Sequence, residues 1–180
     1  TTALGFAEKG FKVIGFEIDK EKINKLQKFK VPFYEPFLEE FLFKNLKNKN
    51  FVLTDNLDEA VKDSEIIMIC VGTPSSDDGK VDLNQVHGVI EKIIKLNRLN
   101  TFKVLCIKST VPPSTSEDII NKFIIPKGLK IGTDIGIANN PEFLREGYAW
   151  NDFLNPDRVI IGSSDNRTYN DNVALSSHFL

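Results

Sequence analysis

The chain has 180 residues, 41% apolar and 27% charged, proportions that fit one globular domain and leave no apolar run long enough to span a membrane. Its 23 Lys and Arg stand against 25 Asp and Glu, so a net charge of −2 gives no electrostatic case for nucleic acid or an anionic membrane, and any anion site must be built locally. Cys70 and Cys106 both fall in apolar strand-like runs, which speaks against a disulfide scaffold and for a reducing compartment, the cytoplasm by default.

Residues 1–10 read as the end of a helix, with Leu4 and Ala7 inward and Gly10 as its closing glycine. A strand at residues 12–16 and a helix at 20–29, with Ile23 and Leu26 inward, come next. Pro32 and Pro36 bracket a turn, and Pro36 fits the first turn of a helix through Leu38, Phe41, Leu42 and Leu46, where its missing N–H is not needed. A short strand at 51–54 and a brief helix at 57–62 lead to residues 65–71, which are apolar at nearly every position. Such continuity predicts a strand covered on both faces, as in a parallel sheet.

Asp82 is placed to cap a helix carrying Val86, Val89, Ile90, Ile93 and Ile94, and residues 104–107 form a further buried strand. Ser114 or Ser116 starts a helix through Ile119, Ile120 and Phe123; strands follow at 135–138 and 158–161, and a last helix at 172–180. Strands alternating with helices predict right-handed βαβ units and a Rossmann-like, doubly wound parallel sheet.

Four groups of non-core residues follow four of these strands, at 17–19, 72–75, 109–113 and 139–146. Parallel strands share one carboxyl edge, so the groups are expected to converge on one crevice. Glu17 stands where a dinucleotide fold places an acid against the adenosine ribose, and a carboxylate there favours NAD over NADP, whose 2′-phosphate it would repel; Asp19 is a rival, and more simply caps the next helix. Val71-Gly72-Thr73-Pro74-Ser75 joins a residue that permits close backbone approach to a hydroxyl and a rigid turn, a pattern that suits a ribose, a pyrophosphate or an ordinary loop. Residues 76–80 read as an exposed loop tip.

The stretch Lys108-Ser109-Thr110-Val111-Pro112-Pro113-Ser114-Thr115 is stiffened by two prolines and carries hydroxyls suited to a nicotinamide, a ribose or a catalytic water. Asn139-Asn140-Pro141-Glu142-Phe143-Leu144-Arg145-Glu146-Gly147 sets two carboxylates and a guanidinium within five residues, open to service as general base, ligand clamp or helix start. His87 lies on a predicted helix and His178 near the terminus, with no metal-ligand spacing, and both cysteines read as small core hydrophobes. Asn166-Arg167-Thr168 matches a glycosylation sequon but reads as a surface loop.

Taken together and in order, Val71-Gly72-Thr73-Pro74, Lys108-Ser109-Thr110-Val111-Pro112-Pro113, Asn140-Pro141-Glu142-Phe143-Leu144-Arg145-Glu146-Gly147 and Asn155-Pro156-Asp157-Arg158 resemble the UDP-glucose/GDP-mannose dehydrogenase family over essentially the whole chain. The resemblance is to its N-terminal NAD-binding domain. It implies oxidation of a nucleotide sugar's C6 alcohol to a carboxylate, with UDP-glucose favoured over GDP-mannose, two NAD per turnover, and a cysteine-bound thiohemiacetal and thioester. It also implies a homo-oligomer when intact. By the same resemblance Glu17 binds the adenosine ribose with Lys22 nearby; Val71, Gly72, Thr73, Pro74, Ser75, Ser109, Thr110 and Val111 line the cofactor; and Glu146 approaches its nicotinamide end. Glu142 becomes the acid/base that activates water, with Thr110 holding that water, and Glu142, Phe143, Leu144 and Arg145 contact the nucleotide sugar.

Glu17 stands where the family usually has Asp, and Phe37 and Ser114 replace frequent glycines. Residues 1–180 are expected to be an incomplete NAD-binding domain, lacking the family's first strand and glycine loop, its central helical segment and its C-terminal domain with the nucleophilic cysteine and catalytic lysine. Loss of a central strand would expose apolar edges and favour aggregation. The alternative of another class is a non-catalytic α/β binding module; a flavodoxin-like signalling domain leaves residues 141–147 unexplained.

Overall fold

Short β-branched runs alternating with amphipathic helices produce, in a computed structural model that describes residues 1–177, an α/β chain. In order the elements are α1 (Thr2–Glu8), β1 (Val13–Phe16), α2 (Lys20–Gln27), α3 (Leu38–Lys47), β2 (Phe51–Thr54), α4 (Leu57–Lys62), β3 (Ile66–Ile69) and α5 (Asn84–Lys95). These are followed by β4 (Lys103–Ile107), α6 (Thr115–Ile119), β5 (Ile135–Asn139), α7 (Ala149–Leu154), β6 (Gly162–Ser163) and α8 (Asn166–Ser176). The described chain forms two compact units, one of Thr1–Ala60 with Phe143–Arg158, the other of Val61–Glu142 with Val159–Ser177.

In the first unit β1 and β2 pair in parallel, Val13 opposite Phe51 through Phe16 opposite Thr54. Leu4, Ala7, Leu38, Leu42, Phe51 and Trp150 form its core, with the Phe41 ring stacked on Trp150 at 4.1 Å between centroids. Glu35 is buried beside them, its carboxylate accepting from the Trp150 N–H at 2.9 Å and so holding the start of α7. Buried carboxylates persist only when so bonded.

The second unit carries the sheet β3-β4-β5-β6, parallel from β3 to β5 and antiparallel between β5 and β6. All of β4 is buried, and α5 buries Val86, Ile90, Ile93 and Ile94, one face at helical spacing. Each such side chain contributes about 1.5–3 kcal/mol on burial. Lys103, at the start of β4, is 2% exposed, yet its ammonium donates to the Lys62 and Ser64 carbonyls at 3.1 and 2.7 Å, where α4 ends with acceptors to spare.

Several expectations are corrected. Residues 65–71 shorten to Ile66–Ile69, and three of these four are only half-buried, because among the described residues β3 lies at the edge of its sheet and pairs with β4 alone. Residues 158–161 are not a strand; pairing begins at Gly162, runs antiparallel for two residues, and makes the sheet mixed. Pro36 lies outside α3, which starts at Leu38 because Phe37 is left-handed at φ 64°. Ser114 does stand at the N-cap of α6, as expected, but without a side-chain capping bond: its hydroxyl donates to the Pro113 carbonyl, while Ser116 lies inside the helix and accepts from Asn139.

The helix through Ile119 and Phe123 widens into a π turn at Ile120–Ile124 and tightens at Ile125–Lys127. The last helix begins at Asn166, not 172, because Asp165 accepts from the Thr168 N–H; residues 178–180 of that expected helix, His178 among them, lie outside the described residues. Thr168 of the sequon is fully buried with its hydroxyl on Asp165, so the sequon is spent on helix capping.

Phe37 and Ser114, where the resemblance leads one to expect glycine, both hold φ at 64°, a conformation in which a Cβ costs about 1–2 kcal/mol. Ser114→Gly is therefore expected to stabilise the chain by about 0.5–1 kcal/mol, after the added freedom of the unfolded glycine is subtracted. A thermal melt checks this, and a lowered midpoint would show that the Ser114 hydroxyl bond outweighs the strain.

Candidate functional site

The carboxyl ends of β3, β4 and β5 are joined by hydrogen bonds between the loops that follow them. Ser109 Oγ donates to the Val71 carbonyl at 2.5 Å, and Thr73 Oγ1 donates to the Thr110 carbonyl at 3.0 Å, so the second and third of the four polar groups meet. Lys108 N bonds the Ile69 carbonyl and Asn140 N the Ile107 carbonyl, each at 2.9 Å, which carries the fourth group to the same edge. Asn139 reaches Ser116 Oγ at 2.5 Å, tying that turn to α6.

Beneath this surface lies a buried polar pair. Lys108 Nζ donates to Asn140 Oδ1 at 3.1 Å, and Asn140 Nδ2 donates to the Ile160 carbonyl at 2.8 Å; the two side chains belong to residues only 8% and 7% exposed. Above it Thr110 and Glu142 are exposed, Ser109 and Val111 half-buried, and Pro74 and Ser75 open to solvent. A Cβ on Gly72 would meet nothing closer than the Gln85 amide at 3.6 Å, so this glycine is not required by packing within the protein, and its backbone is open to a ligand.

Cys70 is exposed rather than buried, because β3 ends one residue before it, which corrects its reading as a core hydrophobe. Its thiol nonetheless sits among enough protein that burial pushes it up to about 11, the negative charge of Glu142 adding to the effect and Lys108 opposing it. Cys106 is fully buried and pushed up to about 12 by burial. Both thiols are therefore protonated at neutral pH, a poor state for a nucleophile. Among the described residues no three His, Cys, Asp or Glu side chains gather within reach of a metal ion.

In the first unit Glu17 lies just past β1. Its Oε1 accepts from the N–H groups of Ile18 and Asp19 at 2.9 and 3.1 Å, and its Oε2 from Lys22 Nζ at 2.8 Å. Burial opposes ionisation here, but the Lys22 and backbone bonds outweigh it and hold the carboxyl below the usual Glu value. Asp19 does what the simpler reading asked of it, accepting from Glu21 N and Lys22 N at the start of α2.

The same unit carries Phe143, Leu144, Arg145 and Glu146. Phe143 is exposed with the Arg158 guanidinium 4.8 Å from its ring centre, Leu144 is half-buried, and Glu146 is exposed. Arg145 makes a two-pronged pair with Asp152, through Nε at 3.0 Å and Nη2 at 2.6 Å, while its own backbone N–H reaches the same carboxylate at 2.9 Å. These bonds hold Asp152 down to about 2 and raise Arg145. Such a pair fixes the 143–148 turn against α7. Sequence reading missed Asp152, Glu35 and the structural use of Lys108 with Asn140; the Asn-Pro dipeptide was the one local signal, marking a turn without naming its partners.

Residues 1–179 match the UDP-glucose/GDP-mannose dehydrogenase family, NAD binding domain. The UDP-glucose 6-dehydrogenase of Pseudomonas aeruginosa is 40% identical over 167 residues, 91% of this chain and 36% of that protein. TuaD of Bacillus subtilis, also a UDP-glucose 6-dehydrogenase, is 38% identical over 162 residues, 90% of this chain and 34% of that one. The solved GDP-mannose dehydrogenase of Pseudomonas aeruginosa superposes on 98% of the chain with a TM-score of 0.89 at 32% identity, covering 41% of that structure. The chain thus spans about a third of the length of these curated relatives. Its Rossmann-like α/β fold and the match along nearly all its residues make it a member of the UDP-glucose/GDP-mannose dehydrogenase family, with NAD as its cofactor.

Proposed function

We propose that the protein carrying this chain is a UDP-glucose 6-dehydrogenase, which oxidises the C6 alcohol of UDP-glucose to the carboxylate of UDP-glucuronate while two NAD are reduced. The observation that supports this most is the hydrogen-bonded meeting of the loops after β3, β4 and β5, with the exposed Glu142 on that same edge. The substrate choice draws on the names of the relatives in Pseudomonas aeruginosa and Bacillus subtilis.

The residues present suit a dinucleotide. Glu17 is oriented by two backbone N–H groups on Oε1 and by Lys22 on Oε2, which leaves Oε2 one of the carboxylate's roughly four lone-pair sites to accept from a ribose hydroxyl. Val71, Gly72, Thr73, Pro74 and Ser75 with Ser109, Thr110 and Val111 would line the cofactor, and Glu146 would approach its nicotinamide end. Bound NAD supplies a hydride acceptor at each of the two oxidations. Between them and product lies hydrolysis of a thioester: Glu142 takes a proton from water, the water oxygen bonds to the acyl carbon, and the thiolate leaves. Thr110 holds that water, and Phe143, Leu144 and Arg145 contact the sugar nucleotide.

Neither Cys70 nor Cys106 suits the thiol, so the covalent step is assigned to a region the relatives possess outside the matched segment. The whole protein is further inferred to be a cytoplasmic homo-oligomer; the two free cysteines of residues 1–180 suit that compartment, and among the described residues no helix is long and apolar enough to cross a membrane. A second reading, GDP-mannose as substrate, draws on the likeness to the GDP-mannose dehydrogenase of Pseudomonas aeruginosa.

Absorbance of reduced cofactor tests these claims. The full-length protein is expected to turn over UDP-glucose at least about tenfold faster, as kcat/KM, than GDP-mannose, a gap of about 1.4 kcal/mol; the reverse order would install the second reading. Glu142→Gln is expected to lower kcat by about 10²–10⁴-fold, the usual worth of a general base. Residues 1–180 alone are expected to give no sustained rate, and a steady rate would refute that.

A further inference from the structure

Lys108 has no place in the chemistry above, yet it is the costlier kind of residue to bury. A lysine is almost never fully buried unless paired, and taking its charge out of water costs several kcal/mol before compensation. Here the residue is 8% exposed, no carboxylate among the described residues forms an ion pair with it, and the acceptor its ammonium uses is the neutral amide oxygen of Asn140. A neutral donor would have satisfied that oxygen without the desolvation. What the charge adds is strength, since a hydrogen bond from an ionised donor is worth about twice a neutral one.

That strength is spent at one point of the chain. Asn140 is fixed on three sides, its N–H on the Ile107 carbonyl, its Oδ1 on Lys108 and its Nδ2 on the Ile160 carbonyl. The next residue is Pro141, whose ring leaves one backbone torsion nearly immobile, and the one after is Glu142. Glu142 thus hangs from a clamped asparagine through a single stiff residue. Lys108 and Glu142 also act with opposite sign on the Cys70 thiol, so the two charges stand around the same spot on the sheet edge.

Resting on the acid/base reading of Glu142, we propose that Lys108 is a positioning residue for catalysis: through Asn140 it holds the turn that aims the Glu142 carboxylate at its water. Misplacement of a reacting group by about 1 Å costs on the order of 100-fold in rate, so a clamp two residues away has room to matter.

The test uses the full-length enzyme with UDP-glucose and NAD, and compares Lys108→Met, Lys108→Arg, Glu142→Gln and the Lys108→Met/Glu142→Gln pair. Lys108→Met is expected to lower kcat by about 10- to 100-fold with both KM values within about twofold, and Lys108→Arg, which keeps the charged donor, to recover most of that loss. In the Glu142→Gln background the same Lys108→Met change is expected to cost less than about threefold, because a residue acting through Glu142 has nothing left to aim. A kcat for Lys108→Met within twofold of the parent, or an undiminished cost in the Glu142→Gln background, would overturn the proposal while leaving the role of Glu142 intact. Glu142→Gln with unchanged kcat would instead overturn the acid/base reading. If thermal melts show Lys108→Met unfolded, Asn140→Ser is read by the same criteria, since it removes the acceptor and leaves the lysine.

Discussion

The constraint on which the rest of this site depends is that parallel strands end on one edge and leave their last carbonyls and N–H groups there. In the second unit those groups are used to sew the loops together: Ile69 to Lys108, Ile107 to Asn140, Val71 to Ser109, Thr73 to Thr110. Each bond is worth about 1 kcal/mol net. Their collective effect is geometric, because every loop residue offered to a ligand is referred to the same buried strands.

The division of labour between core and edge follows from burial. The five residues of β4 are excluded from water, as are four of the five in β5, and they supply a rigid floor. One residue beyond that floor the polar chemistry begins, with Lys108 and Asn140 still buried and Thr110 and Glu142 exposed. The transition takes two residues, which is why the motif reads as a change from Ile-Ala-Asn to Asn-Pro-Glu. In the first unit the turn with Phe143 and Arg145 is held differently, by the Arg145–Asp152 pair and by Glu35 at the head of α7.

Much of this was legible in the amino-acid order. The alternation of apolar runs with 3.6-periodic segments located all but the last strand, since continuous runs such as residues 104–107 have no other economical use in an α/β chain. Strand-following polar clusters were legible too, because topology alone sends parallel strand ends to one edge. What was not legible depends on partners far apart in sequence. Asp152 pairs with Arg145 through a turn whose path no local rule dictates, and Glu35 meets Trp150 across 115 positions. The antiparallel β6 escaped because residues 158–161 look as strand-like as any, while two residues of pairing are enough for the sheet and the Ile160 carbonyl is given to Asn140. Ser114 holds the N-cap position of α6, yet its hydroxyl goes to the adjacent Pro113 carbonyl and that of Ser116 accepts from Asn139, so neither side chain makes the capping bond.

The central claim is that the sewn edge formed by the loops after β3 and β4 receives NAD. Hydrogen exchange of the full-length protein, read by mass spectrometry with and without NAD, measures this most directly. The account predicts slowed exchange at residues 71–75 and 109–111 and no change at the loop tip 76–80. Unchanged exchange at the first two segments under saturating NAD would contradict it.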